Sequence, residues 1–100
     1  MYTNRSNIFF IGIAGTGMSA IAQYLKASGK NISGSDRQFQ KDVFNESWVA
    51  LELAGITCFE QGSGGVSADI DLVVVSTAVE DTVPEVQDAK RLGKTIVKRS

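Results

Sequence analysis

The stretch Ile8-Phe9-Phe10-Ile11-Gly12-Ile13-Ala14-Gly15-Thr16-Gly17-Met18-Ser19 constrains the fold more than any other part of the chain. A short apolar run halts at Gly12, two more glycines follow at Gly15 and Gly17, and a helical pattern then begins. That order reads as a buried strand, a tight turn and a helix N-terminus. The first backbone N–H groups of a helix lack intrahelical partners, and the macrodipole adds about half a positive charge there. Glycine supplies positive φ and removes the Cβ that would hold a ligand away from the backbone. A turn of this kind can cradle an anion, a phosphate above all. The dinucleotide fingerprint is G-x-G-x-x-G, whereas this loop runs G-x-x-G-x-G. Two readings therefore stay open from the loop alone: a nucleotide phosphate loop, or a glycine-rich packing turn without a ligand.

The rest of the chain repeats the alternation. Met18, Ile21, Ala22 and Leu25 recur at i, i+3, i+4 and i+7, the apolar face of a helix that should end near Ser28, with Gly29 as its stop. Asn31 to Ser35 reads as a second strand leading into Asp36, and Arg37 to Lys41 as a polar loop. A second helix is expected from about Asp42 to Ala54, with Val43, Phe44, Trp48, Val49, Leu51 and Leu53 as its apolar residues and Gly55 closing it. Ile56 to Phe59 is a third strand, and Gln61-Gly62-Ser63-Gly64-Gly65 a flexible turn. Asp71 to Ser76 is β-branched and unbroken, the strongest strand in the chain. Pro84 suits the first turn of a third helix, stopped by Gly93, and Thr95 to Val97 is a last strand. Met1 to Asn7 is polar and expected to fray. Each helix ends at a glycine, Gly29, Gly55 or Gly93, and a strand follows within one to three residues, which implies three αβ units wound into one sheet with right-handed crossovers. The expectation is a single α/β domain over residues 1–100, a Rossmann-like three-layer arrangement with a mainly parallel sheet of about five strands.

Composition narrows the chemistry. The formal net charge of −1 offers no general surface for nucleic acid or for a membrane, so neither is expected as a partner. With no histidine and Cys58 as the sole cysteine, an intrachain disulfide and a Cys/His metal cluster are excluded, and no metal site is expected. Cys58 lies in an apolar segment and reads as a small core residue. No signal peptide is visible, and no run approaches the roughly 20 apolar residues that span a bilayer. A soluble cytoplasmic protein is the expectation.

In a parallel sheet ligands sit beyond the C-terminal strand ends, near the switch point of the strand order. Three segments follow strands and would share that edge: Gly12 to Ser19, Ser35-Asp36 and Ser76-Thr77-Ala78. Asp36, about 20 residues beyond the glycine loop, is placed either to accept a ribose hydroxyl or to form an Asx-turn. Ser76 and Thr77 can donate to a phosphate or a base, or satisfy a turn. Thr16 and Ser19 can cap the helix, bind phosphate, or both. Arg37 reads as a solvated loop residue or a phosphate partner, and Glu80-Asp81 as a solvated acidic turn. No catalytic constellation and no Walker A pattern occurs, so no catalytic residue is assigned. A nucleotide site without chemistry suggests a binding domain of something larger.

Phe10-Ile11-Gly12-Ile13-Ala14-Gly15-Thr16-Gly17-Met18-Ser19-Ala20-Ile21-Ala22 resembles the opening of the Mur ligases, most nearly their alanine-adding branch. Ser33-Gly34-Ser35-Asp36 is similar to that family's S-G-S-D, and Leu72 to Val86, with Ser76-Thr77-Ala78 and Pro84-Glu85-Val86, to its V-V-x-S-S-A-I … N-P-E segment. The resemblance implies an ATP- and Mg²⁺-dependent ligase of three domains. That ligase joins L-alanine to UDP-N-acetylmuramic acid through an acyl phosphate in peptidoglycan synthesis. It further implies that this chain is the first, UDP-holding domain, that the central ATPase and C-terminal domains are its missing partners, and that the domain alone is inactive and needs no cofactor. Carried over by position, Gly12, Ala14, Gly15, Thr16, Gly17, Met18 and Ser19 form the diphosphate loop, Ser35 and Asp36 lie near the nucleoside, and Ser76, Thr77 and Ala78 flank the uridine. Two departures stand out: Ala14 replaces the family's usual second glycine, and Gln61-Gly62 stands where the family often has Gly-His. The rival readings are the related murein-peptide ligase, a stand-alone NAD(H)-sensing module, and a Rossmann oxidoreductase. The loop order opposes the sensor, and the lack of an acid/base residue opposes the oxidoreductase.

Overall fold

The computed structural model describes residues 7–99; residues 1–6, residue 100 and the side chain of Thr16 lie outside the described residues, and with them most of the polar stretch expected to fray. Asn7 itself belongs to the first strand, where it pairs with Asn31 and its carbonyl accepts the Asp71 N–H at 2.8 Å; its own N–H donates to Asp71 Oδ2 (3.1 Å) and its side chain joins Asp69 and Asn31.

Five strands, β1 (Asn7–Ile11), β2 (Asn31–Asp36), β3 (Thr57–Glu60), β4 (Leu72–Ser76) and β5 (Thr95–Arg99), form one parallel sheet in the order β3-β2-β1-β4-β5. β1 is central, with Ile11 between Ser35 of β2 and Val75 of β4. Its side chains alternate between two cores. Ile8 and Phe10 join Met18 and Ala22 of α1 (Thr16–Ala27) and Leu51 of α2 (Glu46–Leu53) on one face. Phe9 and Ile11 join Val73, Val75, Val86 and Ala89, the last two from α3 (Pro84–Arg91), on the other. A strand covered on both faces must be continuously apolar, which is why Ile8 to Ile11 shows no polar alternation. Each buried Phe or Ile removes enough apolar area to contribute about 1.5–3 kcal/mol. Two helices on one face and one on the other follow from the winding: the chain runs outward from β1 through β2 to β3, crosses over, and resumes at β4 on β1's other side. The strand order therefore reverses between β1 and β4.

The three-layer, all-parallel architecture agrees with the expectation, and α1, α3 and the five strands lie where the pattern places them, within a residue or two at their ends. The second helix is a correction: it begins at Glu46, not Asp42. Asn45 caps it, its side chain accepting the Trp48 N–H at 3.0 Å, and Asp42 has φ +70, which a continuing helix does not permit. Val43 and Phe44 accordingly precede the helix and are exposed, as are Val49 and Leu53, and the buried contacts in this region come from Leu51 and from Phe39, whose ring stacks on Trp48 at 4.9 Å.

Candidate functional site

The reversal between β1 and β4 opens a cavity of about 320 Å³ at the C-terminal edge of the sheet. Segments following four strands meet there: Gly12 and Gly15 after β1, Asp36, Arg37 and Gln38 at the end of β2, Gln61 after β3, and Ser76, Ala78, Val79, Glu80 and Val83 after β4.

The glycine loop is built by hydrogen bonds from its own backbone. The Ser35 carbonyl accepts the N–H groups of both Gly12 (2.8 Å) and Ile13 (3.1 Å), and the Gly12 carbonyl accepts from Gly15 (3.2 Å). Gly12 has φ +88, and a Cβ there would stand 2.9 Å from Ser76 Cβ and 3.1 Å from Val79 Cγ2. The loop thus passes against the end of β4 at a distance only glycine allows. Gly15 is the N-cap of α1 and, being glycine, brings no side chain to cap that helix. An anion in the cavity would therefore meet helix N–H groups that the N-cap residue leaves open.

Asp36 is buried, and both of its oxygens accept backbone N–H groups: Oδ1 from Gln38 and Oδ2 from Ala14, each at 2.9 Å. The Gln38 bond is the Asx-turn; the Ala14 bond fastens the glycine loop to β2 across 22 residues. A carboxylate has about four lone-pair sites, so two accepted bonds leave room for a hydroxyl from the cavity side. Ser76 Oγ accepts the Ala78 N–H at 3.2 Å, a local turn at the cavity wall. The charged side chains of the lining are Asp36, Arg37 and Glu80.

The sequence-derived site residues divide accordingly. Gly12, Gly15, Asp36, Ser76 and Ala78 line the cavity. Ala14 packs against the core beside Ile13. Met18 is buried in that core, so its side chain faces the sheet. Ser35 is fully buried, acting through its carbonyl, and its Oγ has no hydrogen-bond partner among the described residues. Gly17 is exposed in the first turn of α1, and the Ser19 N–H donates to the Gly15 carbonyl at 2.8 Å. Thr77 is exposed, its N–H held by the Arg99 carbonyl at 2.9 Å, away from the lining. The Thr16 side chain lies outside the described residues. Glu80 and Asp81 part company: Glu80 lines the cavity, while Asp81 pairs on the surface with Lys98 (3.5 Å) and Lys90 (3.9 Å).

Sequence reasoning left out Gln38, Val79 and Val83, and met Gln61 only as a departure from the family's pattern. Gln61 follows a strand end directly, the same signal that marked Asp36; the other three depend on how the loops fold back. Cys58 is buried as expected, and burial, with the Glu52 and Asp36 carboxylates adding to it, pushes its thiol pKa up from 9.0 to about 12. Among the described residues no helix is long and apolar enough to cross a membrane, and no three His, Cys, Asp or Glu side chains converge to hold a metal ion.

Comparison with known proteins identifies relatives of this chain. The chain is 42% identical over its whole length to UDP-N-acetylmuramate–L-alanine ligase of Geobacter sulfurreducens, covering 21% of that protein. It is 37% identical over 96% of its length to the enzyme of the same name from a Synechococcus strain, again 21% of that protein. Among solved structures, UDP-N-acetylmuramate-alanine ligase MurC from Thermotoga maritima superposes with a TM-score of 0.79 at 33% identity, over 93% of this chain and 20% of that one. A murein peptide ligase from Psychrobacter arcticus gives 0.71 at 28% identity, over 92% and 18%. The chain thus spans about a fifth of the length of the relatives it matches. The family model described as "Mur ligase family, catalytic domain" matches residues 7–100, and with it the chain belongs to the Mur ligase family.

Proposed function

We propose that this domain holds the UDP part of UDP-N-acetylmuramic acid, as the N-terminal domain of a three-domain, ATP-dependent UDP-N-acetylmuramate:L-alanine ligase of cytoplasmic peptidoglycan synthesis. The observation that carries the reading is the cavity at the β1/β4 reversal, with the start of α1, whose N-cap is Gly15, on its rim. A diphosphate suits that rim, because backbone N–H groups and the helix dipole favour negative charge where the net field of the chain is not basic. Asp36, held by two backbone bonds, is a fixed acceptor for a nucleoside hydroxyl, and Ser76 and Ala78 form the opposite, β4-side wall. Thr16, Gly17 and Ser19 belong to the helix turn that the diphosphate would meet. In this reading ATP and Mg²⁺ serve the whole ligase, and no described residue of this chain is assigned to them.

The test is an amide-shift titration of the folded domain with UDP-N-acetylmuramic acid, UDP and NAD⁺. Both UDP compounds should move the amides of residues 12–19 and Asp36, with the larger response to UDP-N-acetylmuramic acid, and NAD⁺ should not. A response to NAD⁺ alone, or none to either UDP compound, refutes the reading. The likeness to the Psychrobacter murein peptide ligase supports a second branch of the same reading, in which the acceptor is a murein peptide. Assaying the whole ligase with L-alanine and with a murein peptide separates the two.

A further inference from the structure

We propose that Glu85 is a positioning residue for the nucleotide cavity: its buried carboxylate ties the turn after β3 to the start of α3 and so fixes Gln61 in the cavity wall. This rests on the reading of the cavity as the UDP site. Glu85 is wholly buried, and its Oε2 accepts the Gly62 N–H at 2.7 Å, across 23 residues of chain. Its other oxygen, Oε1, has no hydrogen-bond partner among the described residues.

A buried carboxylate is a poor choice for filling space. It loses its hydration, and an apolar side chain of similar size packs the same volume without that loss. What a carboxylate offers that a methionine does not is an acceptor, and the one it offers is charge-assisted and short. Its position softens the loss of water: Glu85 stands in the first turn of α3, directly after Pro84, where the helix dipole favours a negative charge.

The turn it holds needs holding. Gly62, Gly64 and Gly65 all have positive φ, and a segment this rich in glycine has many conformations available when untied. Gln61, the residue before the tethered Gly62, lines the cavity from the β3 side, and Val83, two residues before Glu85, lines it from the β4 side. One hydrogen bond therefore closes the cavity edge between strand ends on opposite sides of the switch point.

Three variants test this, with circular dichroism to check the fold, amide shifts to locate the response, and titration with UDP-N-acetylmuramic acid to give Kd. Glu85→Gln keeps a carbonyl oxygen for Gly62 and should bind within about threefold of wild type. Glu85→Met keeps the volume and removes the acceptor; Kd should rise about tenfold, and the Gln61 and Gly62 amides should lose their ligand response while residues 12–19 keep theirs. Equal Kd for wild type and Glu85→Met overturns the proposal alone. A wild-type protein that binds no UDP compound overturns the UDP reading and the proposal with it. If Glu85→Met does not fold, Gln61→Ala decides: its side chain lies on a surface turn outside both cores, and an unchanged Kd overturns the proposal, while a rise of several-fold supports it.

Discussion

Replacing Gly12 by alanine tests the closest approach in the site. Two costs combine there. An L-residue at φ +88 sits in the left-handed region, at about 1–2 kcal/mol. The new methyl would also stand 2.9 Å from Ser76 Cβ and 3.1 Å from Val79 Cγ2. Val79 can swing its methyl aside, but Ser76 Cβ is fixed to the β4 backbone, so the loop or the strand end must shift, at about 1–3 kcal/mol for overpacking. Gly29→Ala supplies the reference: its φ is +101, yet nothing lies within 4 Å of a Cβ there. Both changes remove the same backbone freedom from the unfolded chain, so that contribution cancels between them. Gly12→Ala should therefore be less stable than Gly29→Ala by about 1–3 kcal/mol, measured by urea unfolding followed by circular dichroism. In a domain of this size that corresponds to a Tm difference of at least about 4 °C. Adding Ser76→Gly to Gly12→Ala removes the shorter contact and should restore about 1 kcal/mol. If Gly12→Ala and Gly29→Ala agree within about 0.5 kcal/mol, the loop does not press on β4 as described and the argument for a glycine at this position fails.

Two further outcomes follow from buried groups. Asp36→Asn replaces an acceptor for two N–H groups with one acceptor and one donor, so either Ala14 or Gln38 loses its partner. The loss should be about 1.5–3 kcal/mol in urea unfolding, with faster hydrogen exchange at one of those two amides, and undiminished stability would show that the carboxylate does not brace the loop. Cys58 should not react with a thiol reagent in the folded protein at about pH 8, since the thiolate is the reactive form and burial disfavours it. Its pKa of about 12 against 9.0 unfolded means that above pH 9 the unfolded chain loses a proton that the folded chain keeps. Stability should therefore fall as pH rises from 9 towards about 12, and Cys58→Ala should remove that part of the slope.

Which features were legible follows from where the information lies. The sheet was readable because β1 and β4 are buried on both faces and so carry uninterrupted apolar runs, and because Gly29, Gly55 and Gly93 end each helix in a left-handed conformation. The start of α2 was not, because Val43 and Phe44 look like a helical face while the deciding signal is a short-range bond from the Asn45 side chain to the Trp48 N–H. Half of the cavity edge could be named in advance, since strand ends are visible in sequence and parallel strands bring them together. Val79, Val83 and Gln38 enter it through loop paths that leave no periodic trace. Glu85 is harder still: a glutamate after a proline at a helix start is ordinarily a solvent-facing, dipole-stabilising residue, and only the folded chain shows it buried against Gly62.

Ala14 shows why a departure from a motif need not change a site. The resemblance read from the sequence suggests a methyl group set into the loop where the family's pattern has a glycine. In the structure position 14 needs neither property that makes glycine irreplaceable. Ala14 is not among the residues with positive φ, and it is not among those lining the cavity. Its methyl lies against the α1-side core with Ile13, and its N–H points to Asp36 rather than to the cavity. The demand for glycine falls instead on Gly12, where β4 crowds the backbone, and is milder at Gly15, where a Cβ would be 3.5 Å from the Gly12 carbonyl oxygen. The G-x-x-G spacing from Gly12 to Gly15 is thus the one this loop uses: the first glycine passes β4, the next two residues are fastened inward by Ser35 and Asp36, and the second glycine opens the helix. The cavity is thus lined by the loop at positions 12 and 15 and not by the alanine between them.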